Sequence, residues 1–160
     1  MGSTLALEPA ARWDVEALTA LEFPILEYEV SREKILEYAV AIGDLNAIHR
    51  DAAAARTVGY RDVVAPPTFA AVFLTTPIRR AVADPEWALR AGFDSTRILH
   101  GEQTLDFARP IHPGDRLIVQ AIVTDAYERK GMAFVIVGTR VDTERGERVL
   151  EGRSTLVVRP

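Results

Sequence analysis

An aspartate and a histidine stand five residues apart in the segment Gly43-Asp44-Leu45-Asn46-Ala47-Ile48-His49. Glycine and asparagine favour a turn here, and within a turn a carboxylate and an imidazole at this spacing can face the same point. Such a pair suits the addition or removal of water, because one group takes a proton from water while the other delivers a proton to carbon. The same residues also fit a plain turn in which Asp44 and Asn46 bond the backbone and His49 packs.

A metal site at this turn is not predicted. His49 and Asp51 would supply two ligands with no third in reach, and two protein ligands at that spacing do not make a site. The sequence also contains no cysteine, which excludes a disulfide scaffold, thiolate metal ligands and a cysteine nucleophile.

Composition limits the other functions open to the chain. Its 160 residues, of which 48% are hydrophobic, fit one domain with one core. The formal charge of −4 argues against nucleic-acid binding, which needs a basic face. The longest apolar run, around residues 69–74, is far shorter than the roughly 20 residues that span a bilayer. The first residues carry no basic region, so we expect no secretory signal and a cytoplasmic location.

Two short helices are predicted on either side of the candidate turn. Ser31 is placed as an N-cap, and apolar residues follow it at helical spacing until Gly43 ends the helix. Asp51 is the predicted cap of a second, alanine-rich helix that runs through Arg56.

A longer helix is predicted from Pro66-Pro67-Thr68 to Val82. Proline at the first helical position with a threonine close by fits a helix start. The segment is apolar nearly all round, so the helix should be buried. Pro77 should kink it or end it early. Residues 84–92 contain Asp84-Pro85 and Gly92 and are predicted to form a loop.

Alternating apolar residues predict a sheet. One strand is expected over residues 25–30 and four more follow residue 98, separated by turns that contain glycine or proline. This order of elements gives an α+β fold, in which one antiparallel sheet wraps around the central helix of a single domain over residues 23–160. Residues 1–22 are expected to form a short helix or a partly ordered arm. Because such a sheet leaves an edge uncovered, two chains should associate.

The pattern Gly43-Asp44-x-Asn46-x-Ile48-His49-x-Asp51 resembles the signature of the MaoC-like (R)-specific enoyl hydratases and dehydratases. Residues 59–69 are similar to the passage into that family's central helix, and residues 102–117 to its second strand and following turn. The resemblance covers about residues 23–159 and implies the hotdog fold. It also implies that Asp44 and His49 reversibly hydrate trans-2-enoyl thioesters of coenzyme A or acyl carrier protein to (R)-3-hydroxyacyl thioesters, without a cofactor.

Two prolines are the main departure from that family. Pro66-Pro67 stand where typical hydratases carry His-Gly, whose glycine N–H is expected to hold the thioester oxygen; a proline has no N–H. The amides of Thr68 and Phe69 are the nearest replacements. The sequence around these prolines, with His100-Gly101-Glu102-Gln103, is closer to the substrate-binding subunits of two-subunit hydroxyacyl-ACP dehydratases, which generally lack the catalytic pair. The alternative to a homodimeric enzyme is therefore a non-catalytic acyl-binding subunit of a heterodimer.

Further residues are predicted around the substrate. The predicted contacts are Asn46, Pro67, Thr68, Phe69 and His100. Four arginines could meet the phosphates of coenzyme A or phosphopantetheine, although solvated surface is the expected role of each: Arg79, Arg80, Arg109 and Arg116. His112 is expected to be exposed in a turn. A thioesterase ranks last among the functions of this fold, because the acid lies in the turn and not on the central helix.

Overall fold

The strands form one antiparallel sheet, as the alternation predicts. A computed structural model describes residues 13–92 and 95–160. The strands are β1 (Leu26–Glu29), β2 (Ile98–Phe107), β3 (Arg116–Arg129), β4 (Met132–Thr143) and β5 (Arg148–Val158). They lie in the order β1-β3-β4-β5-β2, and every neighbouring pair is antiparallel. β1 and β2 are therefore the edges of the sheet.

Of the described helices, one precedes the first strand, and the other four lie between β1 and β2 in the chain. They are α1 (Val15–Thr19), α2 (Arg32–Ala41), α3 (Ala52–Thr57), α4 (Ala71–Val82) and α5 (Pro85–Ala91). Short 3-10 turns over Ala47–His49 and Pro67–Ala70 precede α3 and α4. Ser31 caps α2 by accepting the N–H of Lys34, as its position in the sequence predicts.

The central helix α4 forms the core with the sheet, which confirms the predicted hotdog architecture. Phe69 and Phe73 are fully buried, and Leu74 is nearly so. They pack in one cluster with apolar residues of the sheet, among them Leu117, Val119, Val141 and Leu150. Pro77 lies inside α4 and the helix continues past it to Val82.

The loop predicted over residues 84–92 is wrong, since most of this segment is the helix α5. Oδ1 of Asp84 accepts the N–H of Glu86 at 2.9 Å, and Pro85 takes the first helical position. Asp-Pro is as compatible with a helix start as with a turn. Trp87 then anchors the helix, because it is buried and its indole N–H donates to the Glu22 carbonyl at 2.8 Å.

The residues before the first strand also pack on the sheet. Residues 1–12, part of the predicted arm, lie outside the described residues. Asp14 caps α1 by accepting the N–H of Ala17, and Leu18 is almost completely buried. The Trp13 indole donates to the Gly131 carbonyl at 3.2 Å, so the chain contacts the β3–β4 hairpin from its first described residue.

Strand β3 carries a bulge opposite β4. The register of β3 against β4 shifts between Val123 and Asp125, which leaves Thr124 out of the ladder. A Cβ at Gly138 would lie 2.9 Å from the Thr124 methyl group, so any other residue there would require the Thr124 side chain to shift.

Within residues 13–92 and 95–160, no helix is both long enough and apolar enough to cross a lipid bilayer.

Truncation of Ile35, which packs α2 against the core, should destabilise the domain. Ile35 is fully buried in the main cluster, so Ile35→Ala is expected to lower the free energy of unfolding by about 2–5 kcal/mol. The matched control is Ile25→Ala, because Ile25 is 60% exposed. Denaturant unfolding measures both; equal losses for the two variants would contradict this packing.

Candidate active site

The end of α2 delivers Asp44 to the site. Gly43 takes a left-handed φ of 72°, which costs glycine no clash with a side chain. The N–H of Asp44 donates to the Ala39 carbonyl at 2.8 Å, and that of Gly43 to the Val40 carbonyl at 3.1 Å. This is a Schellman motif, and it fixes the backbone of Asp44 through main-chain hydrogen bonds.

Side-chain hydrogen bonds then fold the turn. Oδ1 of Asp44 accepts the N–H of Asn46 at 3.0 Å, and Oδ1 of Asn46 accepts the N–H of Ile48 at 3.2 Å. Asn46, a predicted substrate contact, thereby caps the 3-10 turn that ends at His49. These bonds account for one carboxylate oxygen of Asp44 and leave Oδ2 directed at His49.

The ring of His49 is buried and held by the backbone. Its Nδ1 lies 2.6 Å from the carbonyl oxygen of Val64, and only 5% of the residue is exposed. A carbonyl oxygen can only accept, so Nδ1 carries a proton and donates it to this bond. The N–H of Val64 in turn donates to the Ile48 carbonyl at 3.1 Å, which ties the two segments together. The neutral ring therefore presents the lone pair of Nε2 to Asp44.

The two candidate catalytic side chains are in contact. Nε2 of His49 lies 3.2 Å from Oδ2 of Asp44. Because Nδ1 holds the ring proton, Nε2 of His49 and Oδ2 of Asp44 are both acceptors. A direct hydrogen bond between them requires one further proton on the pair. The pair thus has two forms: an imidazolium bonded to a carboxylate, or two acceptors that can bind the same water molecule. The Asp44 side chain is 34% exposed, which gives water access to it. This arrangement can serve as a general acid and base.

His49 faces a cleft of about 470 Å³ beside the entrance to α4. Ile48, Tyr60 and Val64 line it near His49, and Phe107–Ile111 form a further wall. Of these residues, the sequence indicated a possible role for Arg109 alone, as a contact to phosphate. Nothing in the alternation of β2 indicates that its end approaches the turn; the only available signal is the turn segment Arg109-Pro110 that follows the strand.

The predicted helix-entrance residues occupy different environments. Pro67 lines the cleft together with His49. Phe69 is fully buried, and its N–H donates to the Pro66 carbonyl at 2.8 Å. The N–H of Thr68 has no acceptor among the described residues. The carbonyl of Thr68 accepts the hydroxyl of Tyr38 at 2.7 Å, which fixes the following peptide group.

The other two histidines differ in their surroundings. His100 is exposed on β2 and lies outside the lining of the cleft. The expected exposure of His112 is wrong, because only 6% of the residue is exposed. Its Nδ1 lies 2.9 Å from the Val63 carbonyl, and this hydrogen bond compensates the burial of the ring. His49 and His112 therefore bind consecutive carbonyls of the same strand-like segment, those of Val64 and Val63.

The charged groups beside the cleft form ion pairs. Arg109 donates to Oδ2 of Asp115 at 2.7 Å and to Glu147 at 3.1 Å. Burial would lower the pKa of Arg109, but the hydrogen bond and charge of Asp115 outweigh it and the pKa is raised. In the part of the chain that the structure describes, no group of three or more His, Asp or Glu side chains is placed to hold a metal ion.

The sheet around a central helix, with the acid–base turn at the helix entrance, defines the hotdog-fold class of hydratases and dehydratases. A sequence model described as "FAS1-like, dehydratase domain region" matches residues 17–152. The chain therefore belongs to this MaoC-like dehydratase family.

The chain is also similar to individual proteins and solved structures. A UPF0336 protein from Saccharopolyspora erythraea is 43% identical over 136 residues, which cover 85% of each chain. A solved MaoC-like dehydratase is 32% identical with a TM-score of 0.72, and the match covers 89% of this chain and 43% of that one. The C-terminally truncated HadBC (3R-hydroxyacyl-ACP dehydratase) complex of Mycobacterium tuberculosis gives a TM-score of 0.71 at 24% identity, with 87% and 98% covered. This last likeness shows the fold alone.

The two buried histidines should share one tautomer. In alkaline solution we expect the ¹⁵N NMR spectrum to show protonated Nδ1 for His49 and His112, since both donate to carbonyl oxygens. Exposed His100 is the internal reference, and His49→Gln and His112→Gln assign the signals. A protonated Nε2 in neutral His49 would contradict the geometry described here.

Proposed function

We propose that the chain catalyses the reversible hydration of trans-2-enoyl thioesters to (R)-3-hydroxyacyl thioesters. The observation that carries this proposal is the 3.2 Å approach of His49 Nε2 to Asp44 Oδ2 beside a largely apolar cleft. The family supports the same class of reaction. The acyl carrier, either coenzyme A or acyl carrier protein, and the cytoplasmic location stay predictions from the sequence.

In the proposed mechanism, Asp44 and His49 hold one water between them. The water donates its two hydrogens to Nε2 and Oδ2, the two facing acceptors. One group takes a proton as the water oxygen bonds to C3, and electrons move to the thioester oxygen to give an enolate. That proton then passes across the 3.2 Å contact to the other group, which delivers it to C2 as the thioester forms again. The reverse sequence expels water. The thioester itself activates the α-carbon, so the mechanism uses no cofactor.

The enolate oxygen needs a hydrogen-bond donor near the entrance to α4. Pro67 faces the cleft but has no N–H, and the N–H of Phe69 is bonded to Pro66. We assign the role to the N–H of Thr68, which has no acceptor within the described ranges. The bond from Tyr38 to the Thr68 carbonyl restrains the neighbouring peptide. The N–H of Phe69, predicted as an alternative donor, is thus already used in a hydrogen bond, and the Phe69 side chain packs in the core.

We further propose that the working form is a dimer joined along β2. β2 is an unpaired edge of the sheet, and Leu99 and Phe107 on it are 46% and 38% exposed. Unpaired strand edges tend to pair with another chain. Phe107 also lines the catalytic cleft, so a second chain along β2 would close the cleft. The partner is a second copy or, in the alternative function, a related subunit.

The alternative function is that of an acyl-binding subunit for a catalytic partner. The observation that favours it is Pro67, which occupies the cleft without an N–H to offer. The intact contact between Asp44 and His49 favours the enzyme, because a binding subunit needs no acid–base pair. Turnover of crotonyl-CoA by the purified chain alone separates the two.

The catalytic pair should act as a unit. Asp44→Asn and His49→Ala are each expected to lower kcat by ~10²- to 10⁴-fold, the usual contribution of a general acid or base. The double variant should be little slower than either single variant, since the groups serve one step. Steady-state hydration of crotonyl-CoA measures the rates, with exposed Asp125→Asn as the matched control. Near wild-type rates in both folded single variants would exclude the proposed pair.

An N–H introduced at position 67 should test which donor is used. If Thr68 already serves, Pro67→Gly and Pro67→Ala should leave crotonyl-CoA turnover unchanged or lower it. An increase of about a hundredfold in both variants, the scale of one oxyanion donor, would show that the native site lacks one and would favour the binding subunit.

The alanine variant separates the donor from flexibility. Alanine restores the N–H without the backbone freedom of glycine. An increase seen only with glycine would therefore report a looser helix entrance rather than a new hydrogen bond.

A further inference from the structure

A second cleft, of about 780 Å³, adjoins the catalytic cleft. The two share Arg109 and Pro110 in their linings, and Arg61 in the second cleft follows Tyr60 in the first. We call the second one the arginine cleft. Arg61, Arg109, Arg116 and Arg145 all contribute to its wall.

Arg109 is committed to the fold. It bonds Asp115 and Glu147, and it also donates to the Pro110 carbonyl at 2.8 Å. Asp115 is buried and additionally accepts the backbone N–H of His112 at 2.9 Å. Arg109 carries one positive charge against the two carboxylates of Asp115 and Glu147, so this group leaves one negative charge in the cleft.

The three remaining arginines keep free donors. Arg61 is 64% exposed and shows one contact, 3.1 Å to Asp115. Arg116 is 61% exposed, and its contact with Glu144 is long at 3.7 Å. The Arg145 side chain has no partner in the described part of the chain. Three guanidinium groups with spare N–H donors therefore surround one concavity, and the cleft as a whole carries four positive against three negative side chains.

We propose that the arginine cleft binds the phosphate at the head of a pantetheine arm whose thioester lies at His49. This inference rests on the proposed function and identifies which end of the substrate lies where. Guanidinium groups match phosphate oxygens with planar, paired N–H donors. An acyl pantetheine thioester has an apolar end and an anionic end joined by a long arm. The adjoining clefts match this arrangement. The cleft at His49 is largely apolar and suits the acyl end, and the guanidinium groups of the arginine cleft suit the anionic end.

This assignment differs from the set of arginines that the sequence offered as possible phosphate contacts. Arg79 and Arg80, at the end of α4, line a different cleft with Ile98, and Arg109 is used by Asp115. Only Arg116 of the four predicted residues retains the proposed role. Arg61 and Arg145 were not predicted, because seventeen arginines in one chain give no signal in the sequence that distinguishes one from another.

The test compares thioesters with and without the phosphate. Arg61→Gln, Arg116→Gln, Arg145→Gln and the triple variant are assayed with crotonyl-pantetheine, crotonyl-4′-phosphopantetheine, crotonyl-CoA and crotonyl acyl carrier protein. We expect each single variant to raise KM about fivefold for the phosphate-bearing thioesters and the triple variant about a hundredfold, with kcat unchanged. The effect should shrink at high salt. Crotonyl-pantetheine should be unaffected. Arg153→Gln, at an exposed arginine on β5, is the matched control.

The pattern across substrates identifies the contact. Equal increases in KM for all three phosphate-bearing thioesters support the proposal. A larger increase in KM for crotonyl-CoA than for the other two would assign its nucleotide phosphates to the same cleft. Three results would overturn the proposal: an equal increase in KM for crotonyl-pantetheine, an increase in KM for the carrier protein alone, or no change of KM in the triple variant. A loss restricted to the carrier protein would mean that the arginines contact an acidic protein surface.

A binding experiment keeps this inference separate from the proposed catalysis. Calorimetric titration of coenzyme A and of 4′-phosphopantetheine into the wild-type and triple variants needs no turnover. If the chain proves inactive, weaker binding by the triple variant still supports the phosphate site, and equal binding overturns it. Failure of the hydration reaction and failure of the phosphate site therefore give different results.

Discussion

The hydrogen bond between the buried His49 ring and the Val64 carbonyl is the constraint on which the site depends. It settles which ring nitrogen holds the proton and aims the other at Asp44. Val64 also donates back to Ile48, and Ala65 donates to Ile111 at 2.9 Å. Three stretches of chain distant in sequence, the acid–base turn, the approach to α4 and the turn after β2, are thus joined by main-chain bonds around one cleft.

The entrance to α4 combines two opposing requirements. Consecutive prolines fix the backbone angle at which the helix begins, so the wall of the cleft is rigid. The same prolines remove two of the N–H groups that a helix start normally leaves free. The helix entrance therefore offers fewer backbone N–H donors than usual beside the contact between Asp44 and His49.

Much of the fold was predictable because local patterns encode it. Ser31, Gly43 and Asp51 mark helix ends through their own hydrogen bonds or dihedral angles, and Asp44 and His49 lie in one short turn. The hydrogen-bond acceptors of His49 and His112 were not predictable, because they are backbone carbonyls, which every residue carries. The burial of His112 was missed for the same reason. The wall from Phe107 to Ile111 depends on how the sheet curls, which no short segment specifies.

The use of backbone carbonyls to hold His49 and His112 has a consequence for how the gene can vary. A side-chain acceptor would be lost by a single codon change, whereas any residue at positions 63 and 64 supplies the same carbonyl oxygen. Proline at position 64 is the exception, since it removes the N–H that pairs with Ile48. Substitutions at positions 63 and 64 are therefore limited by side-chain packing and by backbone conformation. The hydrogen bonds to the histidines place little restriction on the residue type. The ring orientations should survive in distant descendants whose residues at these positions no longer match.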